Sequence, residues 1–204
     1  MTVEPGVRVG QDSDASVIER SWDEPETFAV LFDRHAGPVH RYAARRLGTE
    51  AADDLMADTF VIAFQQRHRY DIGRGDARPW LFGIATNLVG RHRRAEARRF
   101  RALAKLPPAD DGGGRDEALA ERVTARVSAQ GVRRELAGAL ARIPARNRDV
   151  LLLVAWADLS YEEAAQALGV PVGTVRSRLS RARSKVREAL GGSDPTAFRE
   201  DSRS

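Results

Sequence analysis

Apolar residues recur at spacings of three and four over most of this chain, and glycine or proline marks the breaks between runs. Phe28, Leu31 and Phe32 form a first stripe, ending near Gly37-Pro38. Val39, Tyr42, Ala43 and Leu47 continue it, and Gly48 stops it. Thr49 is placed to cap the next helix, EAADDLMADTFVIAFQQR, in which Leu55, Thr59, Ile62 and Ala63 face one way with Met56, Phe60 and Phe64 alongside. After an irregular stretch, HRYDIGRGDAR, Pro79 opens a long predicted helix that is apolar first (Trp80, Leu81, Ile84, Leu88, Val89) and almost purely basic afterwards. Leu136, Leu140 and Ile143 give another stripe, broken at Pro144, and Val150, Leu151, Leu153, Val154 and Trp156 one more.

The most informative run is the last, SYEEAAQALGVPVGTVRSRLSRARSKVREAL, from Ser160 to Leu190. Ser160 followed three residues on by Glu163 fits a capping box. Ala164, Ala165 and Leu168 recur at helical spacing, and Gly169 stands where a helix stops. Pro171 then opens a second helix with Val172, Val175, Leu179, Ala182 and Val186 on one face. The opposite face carries Arg176, Ser177, Arg178, Ser180, Arg181, Arg183 and Lys185. One side packs and the other presents hydroxyls and guanidinium forks, the build of a helix-turn-helix whose second helix enters the DNA major groove.

These elements predict an all-α chain of two small helical domains joined by a flexible linker, the C-terminal one a helix-turn-helix. Residues 1–22 read as a polar, disordered tail, 23–105 as the first domain, 106–131 as the linker, 132–191 as the second domain and 192–204 as a short tail. The linker contains LPPADDGGGRD, with two prolines and three glycines, which cannot bury a core. At 204 residues the chain has room for such a pair.

Charge distribution sharpens this picture more than the net value of +4. Asp23 to Phe60 holds eight acids against four arginines, whereas Asn87 to Lys105 holds seven basic residues against one acid, Glu96. An acidic face followed by a basic segment implies two different partners. With no cysteine there is no disulfide, thiolate zinc site or cysteine nucleophile, which fits a cytoplasmic setting. No apolar run is long enough to span a bilayer. His35, His40, His68 and His92 lack metal-ligand spacing, and neither a phosphate-cradling glycine loop nor a nucleophile elbow occurs. The chain therefore reads as a non-enzyme without cofactor or metal.

Three strings together resemble the extracytoplasmic-function (ECF) sigma factors of bacterial RNA polymerase. They are DDLMADTFVIAF (Asp53–Phe64), ARPWLFGIATN (Ala77–Asn87) with its arginine-rich tail, and LSYEEAAQALGVPVGTVRSRLSRAR (Leu159–Arg183). The resemblance covers Thr27 to Arg101 and Val132 to Leu190, similar to the family's regions two and four, in that order. It implies a protein that binds core polymerase and directs promoter-specific initiation. Asp53, Asp54, Leu55, Asp58 and Phe60 would then dock on the coiled coil of the polymerase clamp. Tyr70, Arg74, Asn87, Arg91, Arg93 and Arg94 would hold the −10 element, where strand opening needs a seat for an unstacked base and cations along the displaced strand. Arg91 departs from the acid that many relatives carry there, and Trp80 is expected in the core. Arg176, Ser177, Ser180 and Arg181 would meet base edges of the −35 element, and Thr174, Arg178, Arg183 and Lys185 its phosphates. Asp110 and Asp111 lie in a linker that either threads toward the polymerase cleft or is a plain tether. The resemblance also implies an anti-sigma factor as a partner class, with no residue here identifying it. The competing reading is a helix-turn-helix regulator acting without replacing sigma. Against it, the first half shows no ligand-pocket pattern, no βα alternation and no phosphoacceptor arrangement.

Overall fold

Helices and their connecting turns make up the whole described structure, a computed structural model covering residues 12–105, 131 and 133–190. The expected N-terminal segment up to residue 11, most of the linker with Asp110 and Asp111, and the C-terminal tail lie outside the described residues. In chain order the elements are α1 (Asp14–Arg20), a 3-10 turn (Pro25–Phe28), α2 (Ala29–Leu47), α3 (Thr49–Gln66), a 3-10 turn (Arg67–Arg69), α4 (Arg78–Arg91), α5 (Arg93–Ala104), α6 (133–142), α7 (Ala145–Trp156), α8 (Tyr161–Leu168) and α9 (Val172–Ala189). Among them no helix is long and apolar enough to cross a membrane.

In the N-terminal unit α2, α3 and α4 pack on one another around Leu31, Val39, Tyr42, Leu55, Ala63, Leu81 and Val89, all buried. In the C-terminal unit α7, α8 and α9 close over Val150, Leu153, Ala164, Val175, Leu179 and Val186. The expected stripes of each helix supply these residues.

Three local expectations change. First, the segment read as part of an irregular tail contains α1. Ser13 caps it by accepting the Ser16 N–H, and Val17 and Ile18 are fully buried. Seven residues are too few to show a period, and the helix stands on tertiary contacts. Second, α2 runs through Pro38. A mid-helix proline forfeits one hydrogen bond and costs roughly 3 kcal/mol, which the buried residues on either side, Leu31 below and Val39, Tyr42 and Ala43 above, outweigh. Third, the long helix from Pro79 breaks at His92, whose φ of −94° and ψ of 17° leave the helical region. The turn aims the basic half back at α2, so Glu96 and Phe100 become buried. At the start of α3 Gly48, not Thr49, is the capping position, and Thr49 is the first helical residue.

Asp14 fastens α1 to its surroundings. Its carboxylate accepts from Arg34 at 2.9 Å, contacts His35 Nε2 at 2.7 Å and accepts the Ala77 N–H at 3.1 Å. Burial alone would raise this carboxyl, but the hydrogen bond and charge of His35, the Ala77 amide and Arg34 outweigh it and bring it to about 2. A depressed carboxyl stabilises the fold above the unfolded-state value near 3.9 and loses that contribution as pH falls toward 2, on the order of 2 kcal/mol. Acid unfolding followed by circular dichroism should therefore show the parent chain losing more stability than Asp14→Asn between pH ~4 and ~2. Equal losses would mean that the carboxylate is not held as described.

The two units share a buried charged network. Arg46 of α2 donates from Nε to Glu96 of α5 at 2.6 Å, from Nη1 to the Tyr42 hydroxyl at 2.7 Å and from Nη2 to Asp149 of α7 at 2.6 Å. Arg148 donates to the other Glu96 oxygen at 2.8 Å and to the Leu140 carbonyl of α6 at 2.8 Å. Two guanidiniums face two carboxylates, so the cluster is balanced. Burial works against the Arg46 charge, but Tyr42, Glu96 and Asp149 outweigh it and hold the guanidinium above its ordinary value.

Candidate polymerase and nucleic-acid interfaces

The heptad-like spacing of α3 divides its acidic string between two faces. Leu55, expected at a partner surface, is buried, and so is Phe60, whose place in the docking string comes with a core position as the favoured reading; Phe60 meets Phe32 edge-on with centroids 5.0 Å apart. The docking expectation is corrected for Leu55: both residues lie on the side of the helix turned to α2 and α4 with Ala52, Thr59 and Ala63. Asp53, Asp54 and Asp58 remain outside, Asp53 within 3.2 Å of His40. The same outer stripe carries Val61, 54% exposed, one turn beyond Asp58, and Phe32 of α2, 42% exposed, packs on Phe60. Exposed carboxylates beside exposed apolar side chains suit a basic and apolar partner. Sequence periodicity had put Phe32 in the core, and only its placement at the edge of the α2–α3 contact shows otherwise.

The second face gathers around the loop before α4. Tyr70 is buried and its hydroxyl donates to the backbone carbonyls of Arg74 and, at 3.1 Å, Asp76, so it organises the loop. Burial pushes this phenol up to about 12, with Asp14 and Asp76 adding to the rise, and it stays a donor at neutral pH. Its ring lies 5.0 Å from that of Trp80, centroid to centroid. Trp80 is only half-buried, against the expectation of a core residue, and both rings line an open cavity of about 350 Å³ with Arg69, Arg74 and Asn87. Arg74 is exposed and paired with Asp71 at 3.0 Å. Asn87 stands exposed on an otherwise buried stretch of α4. Arg91 and Arg94 are exposed at the α4–α5 break, where Arg93 begins α5, and Arg94 continues into a shallow basic groove with Arg98 and Arg101. Of the expected residues, Tyr70, Arg74 and Asn87 are brought together around this cavity, and Arg94 lines the separate groove.

The third face is the outer side of α9. The capping box forms as the sequence implies, Ser160 accepting the Glu163 N–H at 3.2 Å while Glu163 accepts the Ser160 N–H at 2.6 Å. Gly169 takes the left-handed conformation, φ 62° and ψ 38°, which turns the chain into α9 without a Cβ penalty. Pro171 is the cap rather than the first helical residue. Val175, Leu179, Ala182 and Val186 are buried, which forces Arg176, Ser177, Ser180 and Arg181 outward. Arg176, Ser180, Arg183 and Ser184 share a cleft with Tyr161. Thr174 and Arg178 are half-exposed; Ser177 donates to the Thr174 carbonyl at 3.0 Å, and Lys185 pairs with Glu188 at 2.8 Å. Hydroxyls and guanidiniums on a helix one face of which is fixed by packing suit groove recognition.

Comparisons with known proteins agree with this geometry. Residues 31–99 match the Sigma-70 region 2 family and residues 133–186 the Sigma-70 region 4 family. The chain is 34% identical over 175 residues to the ECF RNA polymerase sigma factor SigE of Mycolicibacterium smegmatis, an alignment covering 83% of this chain and 62% of that protein. It is 32% identical over 168 residues to the ECF RNA polymerase sigma factor SigL of Mycobacterium tuberculosis, covering 82% of this chain and 90% of that one. The solved structure of CnrH in complex with the cytosolic domain of CnrY is similar at a TM-score of 0.60 and 27% identity, over 88% of this chain and 98% of CnrH. With both sigma regions present in order and a relative matched over nearly its full length, this chain belongs to the ECF sigma factors of RNA polymerase, non-enzymatic proteins of transcription initiation.

Proposed function

We propose that the three faces divide the work of promoter recognition. The outer stripe of α3, with Asp53, Asp54, Asp58 and Val61, docks on the coiled coil of the polymerase clamp. The loop and α4 face with Trp80, Asn87, Arg74, Arg91 and Arg94 holds the −10 element, and Tyr70 fixes that loop. The outer side of α9 reads the −35 element, with Arg176, Ser177, Ser180 and Arg181 at base edges and Thr174, Arg178, Arg183 and Lys185 at phosphates. An anti-sigma factor covering the polymerase-binding face is the partner class proposed for regulation, consistent with CnrH having been solved with a bound protein segment. The observation that carries this division is that α3 and α9 expose opposite charge on separate units.

Run-off transcription with sigma-free core polymerase and fragmented genomic DNA tests it, with sequencing of RNA 5′ ends. Discrete starts sharing two upstream motifs are expected only when the protein is added. In the same assay Asp54→Arg with Asp58→Arg should weaken core binding at least tenfold, since reversing two charges at a complementary face costs on the order of 1–2 kcal/mol or more. Tight binding to specific duplex DNA by the protein alone, with no protein-dependent starts, would instead support a regulator. Unchanged core affinity in the double variant would remove α3 from the docking surface.

A further inference from the structure

The loop before α4 is built of turns and bends, yet it is held at both ends by α1, which precedes the residues that match the Sigma-70 region 2 family. At its entry Trp22, just past α1, donates from Nε1 to the Arg67 carbonyl at 3.3 Å, and Arg67 donates from Nε to the Ser21 carbonyl at 3.1 Å. At its exit the Ala15 N–H donates to the Gly75 carbonyl at 3.4 Å, and the Asp14 carboxylate accepts the Ala77 N–H at 3.1 Å. Ala77 is the capping residue of α4 and makes no side-chain cap. Asp14 therefore brings from another helix the negative charge that suits the start of α4. The same carboxylate is tied to α2 through Arg34 and His35, so it fixes the start of α4 against α2. Tyr70 and Arg74 stand between the two anchored ends and Trp80 three residues beyond Ala77, and all three line the cavity.

We propose that α1 is a strap that holds the loop of residues 70–77 in its base-selecting shape, with Asp14 as the positioning residue, so that −10 sequence preference depends on a side chain that touches no DNA. This rests on the −10 role given above to the loop and the α4 face. Selecting a base by fit needs a seat formed before the strand arrives, because a loop that orders only on binding loses part of its binding free energy to that ordering. Within the loop, the Tyr70 hydroxyl donates to the Arg74 and Asp76 carbonyls, and the Asp71 carboxylate accepts the Gly73 N–H at 3.1 Å. These bonds shape the turn, but they do not fix where it sits on the body of the unit; the bonds to α1 do. Asp14 is buried, and it acts on backbone, so its loss shifts the whole seat rather than one contact.

Three variants of the full chain separate positioning from bulk stability. Asp14→Ala removes the carboxylate, and Asp14→Asn keeps an oxygen for the Ala77 N–H. Trp22→Phe removes the indole N–H that reaches Arg67 and keeps a ring beside His68. In the free chain, under conditions where circular dichroism shows parental helix content, amide hydrogen exchange over residues 70–77 should be at least about tenfold faster in Asp14→Ala, with α3 unchanged and Asp14→Asn in between. Asp14→Asn and Trp22→Phe carry the same comparison if the alanine chain does not fold. Holoenzymes made with these chains then transcribe a pool of one promoter, located by RNA 5′-end sequencing, with its −10 and −35 positions randomised. Asp14→Ala should flatten −10 preference by at least about fivefold and Trp22→Phe by less, with −35 preference and core affinity as in the parent. Parental exchange in all three variants would overturn the strap. Faster loop exchange with −10 preference intact would overturn the positioning role, and so would equal loss of preference at both elements, which marks general destabilisation. Asn87→Ala is the reference for the underlying reading. If it flattens −10 preference and the α1 variants do not, the −10 role stands and the strap falls; if it leaves that preference intact, the −10 role fails and the inference falls with it.

Discussion

Glu96→Leu is expected to melt about 10 °C below the parent chain. Glu96 is fully buried and accepts from two arginines, Arg46 at 2.6 Å and Arg148 at 2.8 Å. Removing one member of a buried charged group costs roughly 3–5 kcal/mol, because the remaining charges stay desolvated without their partner. Asp149 still holds one nitrogen of Arg46, and the Leu140 carbonyl one of Arg148, so the lower half of that range applies. For a chain of this size each 1 kcal/mol moves the melting temperature by about 2–4 °C. Glu96→Gln keeps the shape and one acceptor but turns an amide N–H toward an arginine, so its loss should fall between parent and leucine variant. Thermal melts followed by far-ultraviolet circular dichroism measure all three. A leucine variant as stable as the parent would mean that Glu96 faces water in solution.

Glu96 also shows what the sequence makes legible and what it hides. It is the lone acid among seven basic residues between Asn87 and Lys105, and that isolation was visible. Its meaning was not, because its partners are 50 and 52 positions away and no local pattern encodes a pairing at that distance. Local chemistry fared better. Ser160, Glu163 and Gly169 announce α8 because a capping box and a left-handed stop act within one or two turns. The outer face of α9 follows from the buried period of Val175, Leu179, Ala182 and Val186. On α3 the acids are exposed, yet Leu55 had been grouped with them by motif when its side chain points inward, as Phe60's does in keeping with its favoured core reading. The family string records residues that support a surface together with residues that form it. Tyr70 is a second example: its ring borders the cavity while its hydroxyl ties down the loop. The break at His92 and the passage of α2 through Pro38 both depend on tertiary packing outweighing local preference. The contact of α8 with α4 leaves almost no trace beyond a glycine, Gly83, in an otherwise apolar helix.

Arg176→Ala combined with Arg181→Ala should reduce −35-dependent transcription by at least about thirtyfold. Both side chains lie exposed on the outer side of α9, five residues apart and separated by Ser177 and Ser180 on the same surface. An arginine that bridges guanine O6 and N7 contributes roughly 1–3 kcal/mol of discrimination, so losing two removes about 2–6 kcal/mol. The smaller figure already corresponds to about a thirtyfold change in binding. Lysine at both positions keeps the charge but not the planar fork, and should recover general DNA affinity without recovering preference for the promoter. Lys185→Ala should behave differently. Its ammonium is exposed and already paired with Glu188, and a phosphate contact carries no base information. Its loss should weaken all promoters alike and lower the salt dependence of binding by about one ion. Transcription from matched and −35-scrambled templates, alongside a core-binding titration, separates these effects. The double alanine variant should bind core polymerase as the parent does and lose the difference between the two templates. If it failed to bind core instead, α9 would be a polymerase contact and the division of labour between the two units would have to be reversed.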